Sequence, residues 1–247
     1  MSKMLSDNGQ FSTALISWVA FVFSFTKEWH FHLRTKLLHQ TQFSLKLLWV
    51  LTVSTQAIYL FHYFNKSSLE LRQHFVLNNL LALAWFWLED SEYYKWSLLA
   101  AVLLLASTIV SYARDRNFTA SDVQEWLGTH LPVTAVPLTW ALFLSINGVN
   151  TAFKVPGTVL GVSVQLISVL VWAVVGLFFL AVYSDWSLGL LLGLFALGVS
   201  NASADHYRVT ASTAFVGGIV LVGLSVLLAY KRPNHLQQGN DQAPLLG

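Results

Sequence analysis

Residues 157–183 read GTVLGVSVQLISVLVWAVVGLFFLAVY, 27 positions without a single Asp, Glu, Lys, Arg or His. A helix rises 1.5 Å per residue, and a bilayer's hydrocarbon core is about 30 Å thick, so about 20 apolar residues cross it. This run is long enough, and it sets the reading of the whole chain. The 247 residues are 55% hydrophobic and 11% charged, with 14 Lys+Arg, 12 Asp+Glu, a net charge of +2 and a mean hydropathy of +0.57. A soluble domain carries about 25% charged residues. The balance excludes a soluble enzyme domain and a disordered tail. It also excludes a nucleic-acid binder, which needs a basic excess to neutralise phosphates.

Working outward, eight apolar runs predict an all-α, polytopic transmembrane helix bundle. The spans fall near 11–26, 43–64, 74–88, 96–112, 131–149, 157–183, 186–200 and 209–230. The first, third and seventh are short, so seven spans stay open as an alternative. Residues 1–230 form a single transmembrane domain, and 231–247 a disordered polar tail. The first span is retained, since Thr26-Lys27-Glu28-Trp29 is no cleavage site. Lys27 to Gln42, with three histidines, reads as interfacial. Asp122 to Gly128 reads as one or two helical turns capped by Ser121. Lys and Arg divide seven to seven between the two sides under eight spans, which leaves orientation open.

Charge is nearly absent inside the spans, which argues against a pump or a proton-coupled carrier. The chain has no cysteine and no signature of an intramembrane enzyme, so we expect no catalytic residue, no metal and no cofactor. His30-x-His32 with His39 lacks a fourth ligand and reads as loop histidines. Asp185 and the Asp205-His206 pair also read as loop residues. His74 and Asn78 lie four apart on one helical face, with Asn79 adjacent, and Asn147 and Asn150 close the fifth span. These five define a speculative polar cavity; ordinary interhelical hydrogen bonding is the alternative. In the fifth span, Pro132 suits a first turn and Pro137 is expected to bend the helix.

Gly157-x-x-x-Gly161 and Gly189-x-x-x-Gly193 predict close helix pairs. Lys95-Trp96-Ser97-Leu98 is echoed by Asp185-Trp186-Ser187-Leu188 ninety residues on. Asp241-x-x-x-Leu245-Leu246 fits the acidic dileucine pattern that cytosolic sorting adaptors read. It implies an endomembrane location, vacuole or endosome, with a cytosolic C-terminus. Asn117-Phe118-Thr119 is a glycosylation sequon.

Three stretches, His74-Phe75-x-x-Asn78-Asn79-Leu80-Leu81 with Tyr112, His130-x-Pro132-Val133-x-x-x-Pro137-Leu138-x-Trp140, and Asp185-Trp186-Ser187-x-Gly189, carry a resemblance. Over about Gln73 to Tyr230 the chain resembles a family of fungal multi-pass membrane proteins with no assigned activity. The resemblance implies a source and a shared fold but no catalytic residues. The first third departs from it, as does the longer, more acidic Arg114–Gly128 loop. Function is therefore expected to be non-enzymatic: membrane interaction, assembly or trafficking, with lipid, other membrane proteins or a second copy, and sorting adaptors as partners. A facilitative transporter or channel for a small neutral solute is the alternative.

Overall fold

The computed structural model describes residues 2–31, 42–114, 126–153, 159–203 and 208–241, and every regular element among them is helical. We number the α-helices α1 (Ser2–Phe31), α2 (Gln42–Ile58), α3 (Leu69–Asp90), α4 (Tyr94–Arg114), α5 (Val136–Ala152), α6 (Val159–Tyr183), α7 (Trp186–Ser203) and α8 (Arg208–Asp241). Among the described residues, three stretches are long and apolar enough to cross a membrane: Tyr94–Arg114, Gly128–Ile146 and Arg208–Lys231. Shorter apolar helical stretches run Gly9–Ser24, Val169–Tyr183 and Trp186–Ser200. Gly128–Ile146 is 78% buried and central, whereas Arg208–Lys231 is 28% buried and peripheral.

Local chemistry sets several boundaries that an apolar window misses. Helix α3 starts at Leu69, before His74, because Ser68 Oγ accepts the Leu71 N–H at 3.3 Å and caps the first turn. It ends on a turn in which Glu92 takes φ 62°, while the Tyr93 and Glu92 amides bond the Leu88 and Glu89 carbonyls at 2.8 and 3.0 Å. Helix α2 gives way to a π turn, Tyr59–Tyr63, and a 3-10 turn, Phe64–Lys66.

Both prolines lie inside one continuous helical run. Pro132 lies inside a π-helical stretch, Trp126–Ala135, and Pro137 sits in the first turn of α5. A proline removes an N–H and crowds the carbonyl one turn back. The wider π turn takes up that crowding at Pro132. Helix α5 follows that stretch without a break, so Pro137 too removes an N–H from inside a helix, at the junction of its π and α parts. A further difference concerns the polar tail: α8 continues as helix past Tyr230 to Asp241, where the sequence suggested disorder. Adding a residue to an existing helix costs far less than nucleating one.

The main core gathers Phe86, Leu104, Trp140, Leu188, Phe195 and Leu221 from helices α3, α4, α5, α7 and α8. A smaller one joins Ala14, Tyr59, Phe64, Phe75 and Val133. Helices α3 and α4 are antiparallel neighbours, and α4 also packs on α5. Helices α7 and α8 form the most extensive pairing, with α6 against both. There Gly189 and Gly193 meet α8: a Cβ at Gly193 would stand 3.0 Å from both Val222 N and Leu221 Cβ. The other predicted pair, Gly157 and Gly161, lies outside the residues whose side-chain surroundings are described, as do the interfacial segment's histidines and the Asp122–Glu125 turn.

Candidate functional site

Helix α4 places two buried carboxylates at its two ends and a pair of amides between them. At the end near Tyr112, helix α6 stops at Tyr183, Ser184 takes φ 53°, and Asp185 precedes α7. This tight turn points the Asp185 carboxylate back over the first turn of α7. Its Oδ1 accepts the backbone N–H groups of Ser187 and Leu188 at 3.1 and 3.2 Å and the Ser187 hydroxyl. Asp185 is thus an N-cap, favoured also by the helix dipole. Its Oδ2 accepts the Tyr112 hydroxyl at 2.6 Å and stands 2.9 Å from His130 Nε2. Tyr112, His130, Thr134, Asp185 and Ser187 are all buried. The Tyr112 ring is further held edge-on by His130, Phe179 and Tyr183.

Thr134 Oγ1 lies 2.8 Å from His130 Nδ1 and also against the His130 carbonyl oxygen. Its one proton serves either acceptor, and in both arrangements His130 Nε2–H donates to the Asp185 carboxylate. Burial raises the Asp185 pKa, but the hydrogen bond and charge of His130, with the hydroxyls of Ser187 and Tyr112, outweigh it. The carboxyl is held below its ordinary value of 3.8.

At the opposite end, Ser97 Oγ donates to Glu89 Oε2 at 2.6 Å, and both residues are buried. The two Trp-Ser steps of the sequence echo therefore do the same thing: each serine, in the first turn of its helix, holds a buried carboxylate. Ser97 and Tyr112 are fifteen residues apart on α4, about 22 Å along the axis. A hydrogen bond to a charged group contributes about 1.5–3 kcal/mol. We expect Ser97→Ala to destabilise the chain by that amount, read as a fall in thermal midpoint in detergent. A midpoint equal to the parent's would show that Glu89 finds another donor.

Between these ends, Asn78 Oδ1 accepts the Ser107 hydroxyl at 2.8 Å, and Gln56 Nε2 donates to Asn79 Oδ1 at 3.3 Å. One cavity of about 20 Å³ is lined by Gln56, Asn78 and Asn79 and by Phe21, Phe86 and Leu104, with Thr52, Ala82, Pro137, Trp140 and Leu144 completing it. Trp140 Nε1 donates to Thr52 Oγ1 at 2.6 Å.

Of the residues expected to share a polar cavity, Asn78 and Asn79 do so, and His74, one turn earlier, does not line it. The side chains of Asn147 and Asn150 lie outside the described residues, as do Asn117, the Asp241 side chain, Leu245 and Leu246. Asp185, expected to be a loop residue, is instead a buried hub. The missed signal was positional: an Asp directly before Trp-Ser-Leu at a helix start is where a cap belongs. Gln56 and Ser107 were missed because polar residues inside apolar runs carry no periodicity of their own. Among the described residues, no three His, Asp or Glu side chains gather as a metal site. The chain matches no known protein family, no curated protein and no solved structure.

Proposed function

We propose that the chain is a multi-pass integral membrane protein of about eight spans, a member of the fungal family its motifs resemble. In this reading it works without catalysis, by packing with and assembling other membrane proteins or copies of itself. One observation carries the reading. The side chains best suited to chemistry, His130, Thr134, Asp185 and Tyr112, are buried and bonded to one another across helices. They hold the bundle together. Around them, α6 and α8 turn a broad apolar surface outward, with Leu170, Val174 and Phe178 on one and Phe215, Ile219 and Leu227 on the other. In a membrane such a surface takes lipid or a partner's helix.

The test is the mass of the full chain extracted with its lipids and analysed by native mass spectrometry, with chemical cross-linking in the source membrane. A defined complex or oligomer is expected. A chain that is monomeric and uncross-linked in every lipid-retaining preparation would overturn the reading.

The dileucine pattern supports a location for this assembly on endosomes or the vacuole, with the C-terminus cytosolic. Leu245→Ala/Leu246→Ala is expected to displace a tagged chain from that compartment. The same distribution for both would make the pattern a coincidence. A second reading, passage of a small neutral solute, is favoured by the cavity that Gln56, Asn78 and Asn79 share inside the apolar length of α3 and α4.

A further inference from the structure

Gln56, Asn78 and Asn79, which line the cavity between α2, α3 and α4, each carry a buried polar atom without a hydrogen-bond partner: Gln56 Oε1, Asn78 Nδ2 and Asn79 Nδ2. All three residues are more than nine-tenths buried. Leaving a buried polar group unsatisfied costs about 1–3 kcal/mol, so three around one space is a costly arrangement to keep. The amides' other atoms are already committed: Asn78 Oδ1 to Ser107, and Asn79 Oδ1 to Gln56 Nε2. What remains unpartnered is one carbonyl oxygen and two amide NH2 groups. The cavity, about 20 Å³ at the scale of a water molecule, has room for one small polar group.

A hydroxyl has one proton to donate and two lone pairs. It reaches all three atoms at once, donating to Gln56 Oε1 and accepting one N–H each from Asn78 Nδ2 and Asn79 Nδ2. The fourth direction from its oxygen is the bond to carbon, and the rest of the lining offers that carbon Phe21, Phe86 and Leu104. Water reaches the same three atoms and is the competing occupant, and equal labelling by the alcohol and the ether below is its outcome; the Phe21, Phe86 and Leu104 walls favour an oxygen that carries carbon. An ammonium brings three protons to one acceptor, and a carboxylate brings no donor for Gln56. Ser107 lies five residues from Tyr112 on α4, about 7 Å along the helix, so the site is set inside the apolar zone, away from its edge. We propose that this cavity is a binding site for the hydroxyl group of an uncharged alcohol, supplied by a small soluble alcohol or by a hydroxyl-bearing lipid. The site stands on this geometry and on neither functional reading above.

The full chain in lipid nanodiscs is irradiated with a diazirine-bearing eight-carbon primary alcohol, and separately with its methyl ether. The ether has the same body but no proton for Gln56. Labelled positions are mapped by mass spectrometry. The alcohol is expected to label peptides carrying Phe21, Phe86 or Leu104 about tenfold more than the ether does, the value of one lost buried hydrogen bond. Competition identifies the source: displacement by glycerol points to a soluble alcohol, and displacement by a sterol in the nanodisc to a lipid. Gln56→Leu is expected to remove the alcohol's advantage, bringing the alcohol-to-ether labelling ratio to about one. Should that variant fail to fold, the alcohol-to-ether comparison on the parent chain still decides. Equal labelling by alcohol and ether, labelling confined to other helices, or failure of both competitors would overturn the proposal.

Discussion

Asp185→Ala is expected to destabilise the chain more than any other single polar substitution, by about 3–5 kcal/mol, because it breaks a buried pair and removes the acceptor that His130, Tyr112 and the α7 amides share. The change removes the Oδ2 that faces His130 and Tyr112 and the Oδ1 that caps α7. Two further variants separate these contributions. Asp185→Asn keeps an oxygen for the Ser187 and Leu188 amides but sets an NH2 group where His130 and Tyr112 need an acceptor, so it separates the cap from the contacts at Oδ2. Tyr112→Phe removes one hydrogen bond to a charged acceptor and is expected to cost about 1.5–3 kcal/mol. Chemical unfolding in a single detergent, read by intrinsic fluorescence, gives all three values. The order Ala, then Asn, then the parent is expected, and a parent-like Asp185→Ala would show that the hub is a consequence of packing. The pH dependence has a fixed sign. The folded-state pKa of Asp185 lies below its ordinary 3.8. Its contribution is therefore whole above that value and is lost only as pH falls from 3.8 toward the depressed folded-state pKa.

The helices were legible from apolar runs alone, because lipid demands long uncharged stretches and few folds can bury so many. Their ends were less so. Ser68 and Asp185 set helix starts by accepting backbone amides, an effect of one oxygen that a window of twenty residues averages away. The candidate site was half legible. Asn78-Asn79 stood out as adjacent amides in an apolar run, but their partners, Gln56 and Ser107, come from other helices and could be assigned only once α2 and α4 were placed against α3. Tyr112, His130 and Asp185 each fell in a motif quoted for the family resemblance, at positions 18 and 55 residues apart. Nothing in their spacing announces that they meet. They meet because α4, the π-helical stretch before α5 and the α6–α7 turn end on one side of the bundle.

The pairing of α7 with α8 makes the second large effect. Gly193→Leu is expected to separate these helices, because even a Cβ there meets the backbone nitrogen of Val222 and Leu221 Cβ at 3.0 Å, and Val222 Cγ2 at 2.9 Å. Backbone cannot rotate out of the way as a side-chain tip can. Gly193→Ala already forces a shift, and overpacking of this kind costs about 1–3 kcal/mol, with more for the larger residue. The neighbouring glycines provide the control. Nothing lies within 4 Å of a Cβ at Gly223, and at Gly217 the nearest atom, Ala173 Cβ, is at 3.5 Å, an ordinary contact. Both sit in the same helix, α8, so Gly223→Ala and Gly217→Ala report helix propensity alone. They are expected to stabilise by up to about 1 kcal/mol. Opposite signs at Gly193 and Gly223 would mean that close approach, rather than backbone freedom, is what glycine supplies at Gly193. Equal signs would mean that α7 and α8 do not pack along this face. Lipid cannot drive two apolar helices together as water would, so the fit of backbone on backbone at Gly193 has to supply much of that pairing.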